Sequence, residues 1–192
     1  MVVISEIQKC VLVDEARIQA TLALAAFRQF QHTVNVYETR QDRAAWMYLT
    51  SFLSHTAMVS KLLKPIASTS ISTCRAQQLN EVLKVPDNAL LLDRSIRNNV
   101  EHFDERIDRW IDAGSDKILE AVFEQRTCLD FLDRHTDEQR HSWFIRRVYL
   151  LDEKVFLTEG RDGREEVKIG ALAAELARIS ECANEFFNEQ TR

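Results

Sequence analysis

Five polar or ionisable residues lie within six consecutive positions near the middle of the chain: Arg97, Asn98, Asn99, Glu101 and His102. A histidine titrates near neutral pH and can therefore give or take a proton. An arginine keeps its positive charge and can hold an oxyanion such as a phosphate. Together, side chains of these types have the chemistry needed to move the proton of a ribose hydroxyl beside a phosphate.

The segment around these residues has the spacing of an amphipathic helix. Its apolar residues recur every three or four positions: Leu92, Ile96, Val100, Phe103, Ile107 and Trp110. This spacing predicts one helix from about Asn88 to Ala113, with Gly114 as its natural end. We expect this helix to be the central one of a helical bundle.

An arginine, a polar residue and then a histidine after four intervening residues resemble the signature of the HEPN superfamily, helical-bundle proteins of which many are metal-independent ribonucleases. The resemblance covers roughly residues 5–113. It implies that Arg97 and His102 are catalytic, that Asn98 is the supporting polar group and that RNA is the substrate. It also implies a homodimer in which two motifs face one cleft. Arg134 and His141 satisfy only the loosest form of the pattern.

A solvated, salt-bridged helix face explains the same charges without catalysis. Asp93 with Arg97, and Glu105 with Arg109, are pairs four residues apart, each worth about 0.2–0.5 kcal/mol. Between Asp93 and Asp112, four arginines stand against six acidic residues. RNA would therefore need basic groups from elsewhere in the fold or from a second subunit.

The geometry of an ideal helix separates the two catalytic candidates. Five residues along such a helix rotate a side chain by roughly 140°, so Arg97 and His102 would not share a face. Asn98 and His102, four residues apart, do share one.

The alternative function is that of a noncatalytic helical-bundle interaction or scaffold protein, which self-associates or binds a protein partner.

Metal chemistry has weaker sequence support. Carboxylate-bridged bundles use two Glu-x-x-His pairs, and the chain offers one, Glu138 with His141. Cys128, His135 and His141 are spaced too loosely for a recognisable zinc site. We therefore predict no metal and no cofactor.

Few glycines and prolines interrupt the first half of the chain. The 192 residues include four glycines and two prolines, and no glycine precedes Gly114. We predict helices over about 5–36, 41–64 and 74–83, and one or two short helices within 115–140. Ser5 can cap the first of these helices, with Gln8 at the capping-box position. In the first of these, an apolar face is marked by Ile7, Val11, Ile18, Leu22 and Ala25.

The composition changes after residue 142. Residues 143–150, 154–158 and 165–169 are rich in β-branched and aromatic side chains, and Asp162-Gly163 favours a tight turn. These runs predict a small antiparallel β-ribbon at about 143–169, followed by a last helix from Gly170. The expected fold is thus mainly α: a single domain over residues 1–192, an antiparallel four- or five-helix bundle with this ribbon before the C-terminal helix.

Charge and cysteine content indicate the environment. The net charge is −5, and the four cysteines lie far apart. The longest uncharged run near the start, Ile18 to Phe27, is too short to span a bilayer, and no secretory signal is visible. We therefore expect a reduced, cytoplasmic protein that does not enter a membrane.

Overall fold

The computed structural model describes residues 3–67, 69–93, 103–112, 114, 117–130, 143–160 and 163–191. Within these residues there are five α-helices: α1 Glu6–Asn35, α2 Arg43–Leu63, α3 Ser70–Val82, α4 Phe103–Asp112 and α5 Ile169–Gln190. The four strands are β1 Lys117–Phe123, β2 Trp143–Leu150, β3 Val155–Gly160 and β4 Gly163–Lys168. Short 3₁₀ helices span Leu90–Leu92 and Arg126–Leu129. The prediction of a mainly helical fold with a sheet before the C-terminal helix is confirmed.

Helix α1 begins with the capping box that the sequence predicts. The Ser5 hydroxyl accepts a hydrogen bond from the Gln8 backbone N–H, and the Gln8 side chain accepts one from the Ser5 N–H. The pair satisfies two backbone donors that the first turn of a helix leaves open. The buried face of the helix consists mainly of small and aromatic residues: Val13, Ala16, Ala20, Ala23, Ala26, Phe27, Phe30 and Val34.

This buried face corrects the apolar face assigned from the sequence. The structure leaves Ile7, Val11, Ile18 and Leu22 exposed on the opposite side of α1. Alanines occupy the core side instead, because a residue without a bulky side chain lets neighbouring helices approach α1 closely. Spacing alone identified a stripe on α1, but it could not tell which of two stripes is covered.

Helix α1 is the central helix of the bundle, and both of its main neighbours run antiparallel to it. Gln19 Oε1 lies 2.7 Å from Nδ1 of His55, and the ring centroids of Phe27 and Phe52 are 5.2 Å apart, so α1 and α2 run in opposite directions. Near the other neighbour, Arg17 Nη1 donates to Asn184 Oδ1 at 3.4 Å, close to the end of α5.

The segment Asn88–Ala113 is not one continuous helix. Leu90–Leu92 forms a 3₁₀ helix, and Asp93 is extended, with φ −74° and ψ 133°. The Glu175 carboxylate explains the difference, because it accepts hydrogen bonds from the N–H groups of Leu90 (2.8 Å) and Leu91 (3.0 Å). No described side chain of α4 is fully buried, so α4 is not the central helix either.

Local residues also determine where α3 begins and where α4 ends. Helix α3 begins four residues earlier than predicted, because Thr69 accepts from the Ser72 N–H and caps the first turn. Residues 70–73, which the prediction left between two helices, therefore belong to α3. Gly114 follows α4 with φ +61°, the left-handed conformation expected of a residue that ends a helix.

The sheet has the order β1-β2-β3-β4 and is mixed. Strands β2, β3 and β4 form the predicted antiparallel meander, but β1 pairs with β2 in parallel. A purely antiparallel ribbon was therefore the wrong prediction, and so was a helix over residues 117–123. Strand β1 is covered on both faces: Val122 packs against the helices, and Leu119 packs on the other side with Ile145. The buried residues on the two faces, Leu119 and Val122, are three positions apart, and this spacing also occurs on one face of a helix.

The free edge of β1 is protected by one side chain. Gln41, in the turn between α1 and α2, donates from Nε2 to Val122 O (2.8 Å) and accepts at Oε1 from Val122 N (3.0 Å). Its amide thus replaces the backbone of a neighbouring strand at this residue.

We predict that Gln41→Ala lowers the free energy of unfolding by about 1 kcal/mol, because both hydrogen bonds to Val122 are lost. Urea denaturation of this variant and of Gln29→Ala, an exposed glutamine of α1, measures the effect. Equal midpoints for both variants and the wild type would contradict the bridging role of Gln41.

Candidate functional site

The catalytic residues predicted from the sequence lie outside the described part of the chain. Arg97, Asn98 and His102 fall within residues 94–102, directly before α4. The second Arg–His pair and the metal candidates of residues 131–142 are also outside it, whereas Cys128 is described and exposed. Among the described residues, no group of three or more His, Cys, Asp or Glu side chains could hold a metal ion.

A pocket of about 520 Å³ lies between the helices and the helix-facing side of the sheet. Its size is typical of small-molecule sites. Most of its walls are apolar: Trp46, Leu49 and Leu53 of α2, Ile107 and Trp110 of α4, and Ile118, Phe144 and Phe156 of the strands. Its polar lining residues are Thr50, Thr158, Arg106, Arg146 and Arg147. We call it the arginine pocket.

A β-bulge brings two of these arginines to the same side of the sheet. Leu119 pairs with Ile145, but the next residue, Glu120, pairs with Arg147, so Arg146 is an extra residue in β2. Side chains of a regular strand alternate between faces, and an extra residue breaks that alternation. Arg146 and Arg147 therefore both line the arginine pocket.

The bulge also keeps the hydrophobic residues of β2 on their proper sides. Phe144 faces the pocket before the bulge, and Tyr149 faces the helices after it. Ile145 and Val148 lie on the opposite face, in the second hydrophobic cluster. The hydroxyl of Thr158 on β3 donates to the carbonyl oxygen of Arg146 at 3.0 Å, which ties the extra residue to the next strand.

One carboxylate lies near both arginines. Glu120 Oε2 is 3.4 Å from Nη1 of Arg146 and 3.8 Å from Nε of Arg147. These are ion-pair distances, and Oε2 accepts no hydrogen bond within the described residues. Among the described residues, one negative charge thus faces two guanidinium groups in this part of the pocket.

Two arginines of the pocket are poorly hydrated. Burial lowers the pKa of Arg147, with Glu120 opposing the effect, and burial likewise lowers the pKa of Arg106, opposed by Glu165. An arginine nevertheless stays charged at neutral pH. The cost of removing water from its charge is therefore present in the ligand-free protein, and a bound anion would offset it.

Aromatic rings form the rest of the site. Trp110 and Phe144 lie with their centroids 6.2 Å apart and their planes inclined by 35°. Trp46 and Phe156 are 3% and 6% exposed, so the inner end of the pocket is apolar and well covered. An apolar body can fill this space, with a negatively charged group placed at the arginines.

No family model, curated protein or solved structure matches the chain. The HEPN resemblance therefore stays a prediction from the spacing of Arg97 and His102. Within the described residues, every helix is too short or too polar to cross a bilayer.

The sequence contained one signal for this site. Arg146 and Arg147 are adjacent charges inside an otherwise apolar strand, and in a regular strand one of them would point into each face. With both faces covered, such a pair indicates a bulge or an internal site. The helical spacing around Arg97 and His102 does not reveal the site in β2.

Glu159 on β3 stands close to Arg109 and makes stability depend on pH. Burial raises the pKa of Glu159, while Arg164, Arg109 and a backbone hydrogen bond with Ile145 oppose this. A carboxyl with a raised pKa in the folded state stabilises the fold below its ordinary pKa, and this contribution is lost as the pH rises through the folded-state value.

We therefore predict that Glu159→Gln has a higher urea midpoint than the wild type at pH 7, because the buried charge is removed. The difference should disappear near pH 4, close to the ordinary carboxyl pKa. Glu181→Gln, at an exposed position of α5, is the control and should show no such pH dependence. A lower midpoint for Glu159→Gln at pH 7 would mean that its attraction to the arginines outweighs the burial cost.

Proposed function

We propose that the protein binds an organic anion with an apolar body in the arginine pocket. The proposal rests on the bulge, which places two adjacent arginines in the lining of a pocket that also contains aromatic rings. The fold bears the desolvation cost of the Arg147 charge. A bound anionic ligand would offset this cost.

The chemistry of the pocket favours a monocarboxylate. A carboxylate matches the planar guanidinium of Arg147 and can accept two parallel hydrogen bonds. Glu120 is near enough to repel a second negative charge, which disfavours a phosphate dianion. Thr50 and Thr158 are the neutral polar residues of the lining, so the apolar walls suit an aliphatic chain or an unsubstituted ring.

Decanoate and decanol test this proposal, because they share an aliphatic chain and differ in charge. Two tryptophans, Trp46 and Trp110, line the pocket, so their fluorescence reports binding. The wild type should bind decanoate at least about tenfold more tightly than decanol, since a hydrogen bond to a charged group is worth roughly 1.5–3 kcal/mol.

Arg147→Gln should remove this preference for the carboxylate and leave decanol binding nearly unchanged. Arg28→Gln, at an exposed position of α1, is the matched control and should bind both ligands like the wild type. If Arg147→Gln keeps the preference, or if decanol binds the wild type as well as decanoate does, the proposal fails.

We also propose, as a second candidate, metal-independent cleavage of RNA by a homodimer through Arg97 and His102, with Asn98 in support. Its sequence support is the motif spacing. Two observations add to it: α4 follows His102 directly and lends Arg106 and Trp110 to the pocket, and Arg146 and Arg147 are basic groups outside the acidic motif segment. Stacking of bases on aromatic rings and contacts of phosphates with arginines are typical of single-stranded RNA sites.

Cleavage of total RNA in the presence of EDTA tests this second candidate. The wild type should cleave RNA, and His102→Ala should lose nearly all activity because the proton-transfer group is gone. His32→Ala, at an exposed position of α1, should cleave normally. Equal cleavage by wild type and His102→Ala, or cleavage by neither, would exclude this mechanism and leave the noncatalytic alternative.

A further inference from the structure

Helix α1 carries apolar side chains on two opposite faces. One face forms the core, and the other holds Ile7, Val11, Ile18 and Leu22, which are 79%, 64%, 43% and 44% exposed. At 3.6 residues per turn these four lie within a sector of about 60°, opposite the buried alanines. We call them the outer stripe. Exposed apolar patches that are flanked by polar residues often mark interaction sites.

We infer that the outer stripe packs against the outer stripe of a second copy of this chain, with the two α1 helices antiparallel. The spacing between its residues is four, seven and four, which reads the same in both directions. A two-fold axis between residues 14 and 15 therefore places every apolar residue of one stripe opposite an apolar residue of the other, and the same surface serves both subunits. Ile7 then faces Leu22 of the partner subunit, and Val11 faces Ile18 of the partner subunit. Spacings of four and seven also suit a helix–helix seam.

Charges at the middle of the stripe set the strength of this contact. Asp14 is neutralised within its own chain by Arg17, whose Nη2 lies 2.6 Å from Asp14 Oδ1. Glu15 accepts a hydrogen bond from the neutral Gln19 Nε2 at 2.8 Å and has no ion-pair partner among the described residues. The antiparallel arrangement brings the Glu15 side chains of both subunits near the two-fold axis, where they repel each other.

The size of the stripe predicts a weak dimer. From Ile7 to Leu22 it extends about 22 Å at 1.5 Å per residue, and a contact of one helix with another over this length is smaller than the roughly 800 Å² per partner of standard interfaces. We therefore expect dissociation in the micromolar range. The association is independent of the ligand of the arginine pocket.

Sedimentation velocity over a micromolar concentration series tests the contact. The wild type should shift from monomer to dimer, Val11→Lys and Ile18→Glu should each stay monomeric, and Glu15→Gln should dimerise more tightly. Ile71→Glu, at an exposed aliphatic position of α3, is the control and should dimerise like the wild type. All substitutions lie on the surface, and circular dichroism checks that the variants fold.

Mixing two variants tests the direction of the helices. Antiparallel pairing places Val11→Lys of one chain opposite Ile18→Glu of the other, so a mixture of these two monomers should regain a dimer. Parallel pairing would place each position opposite itself, and the mixture would stay monomeric. A monomeric wild type throughout the series, dimers unaffected by Val11→Lys, or a mixture that fails to associate would overturn the proposal.

Discussion

Arg146, the extra residue in β2, sets the arrangement of the sheet and of the pocket. Before it, Phe144 faces the helices and Ile145 faces away; after it, the odd-numbered Tyr149 faces the helices instead. The sheet therefore buries hydrophobic residues on both sides, and two arginines are exposed to the pocket at the point where the alternation changes. Without the bulge, Arg146 and Arg147 would point to opposite faces, and one would enter the hydrophobic cluster around Leu129.

The pocket lies between a well-buried helix, α2, and a less buried one, α4. Its inner wall belongs to α2, which packs along the central helix α1 and contributes the buried Trp46. Its outer wall belongs to α4, none of whose described side chains is fully buried. Segments with few buried contacts open at lower free-energy cost than the core. A ligand that touches both walls would therefore stabilise α4 against the sheet, and α4 is also the helix that directly follows Arg97 and His102.

Local signals predicted much of the fold, and tertiary contacts account for what they missed. Ser5 and Gln8 marked the start of α1, Gly114 followed the end of α4, and the runs of β-branched and aromatic residues after residue 142 gave three of the four strands. The 3₁₀ helix at Leu90–Leu92 depends on Glu175, which lies 84 residues or more away in the chain. Strand β1 pairs with a segment 26 residues further along, and coverage of both its faces conceals the strand period. The pocket combines residues of α2, α4 and three strands, so helical spacing around Arg97 could not predict it.

The central claim is that the arginine pocket receives the charged end of an apolar ligand, and a crystal structure of the protein grown with decanoate tests it most directly. The account predicts the carboxylate within hydrogen-bonding distance of the Arg147 guanidinium, with the aliphatic chain between Trp46 and Trp110. Decanoate bound with its carboxylate away from both bulge arginines, or bound elsewhere on the protein, would contradict it.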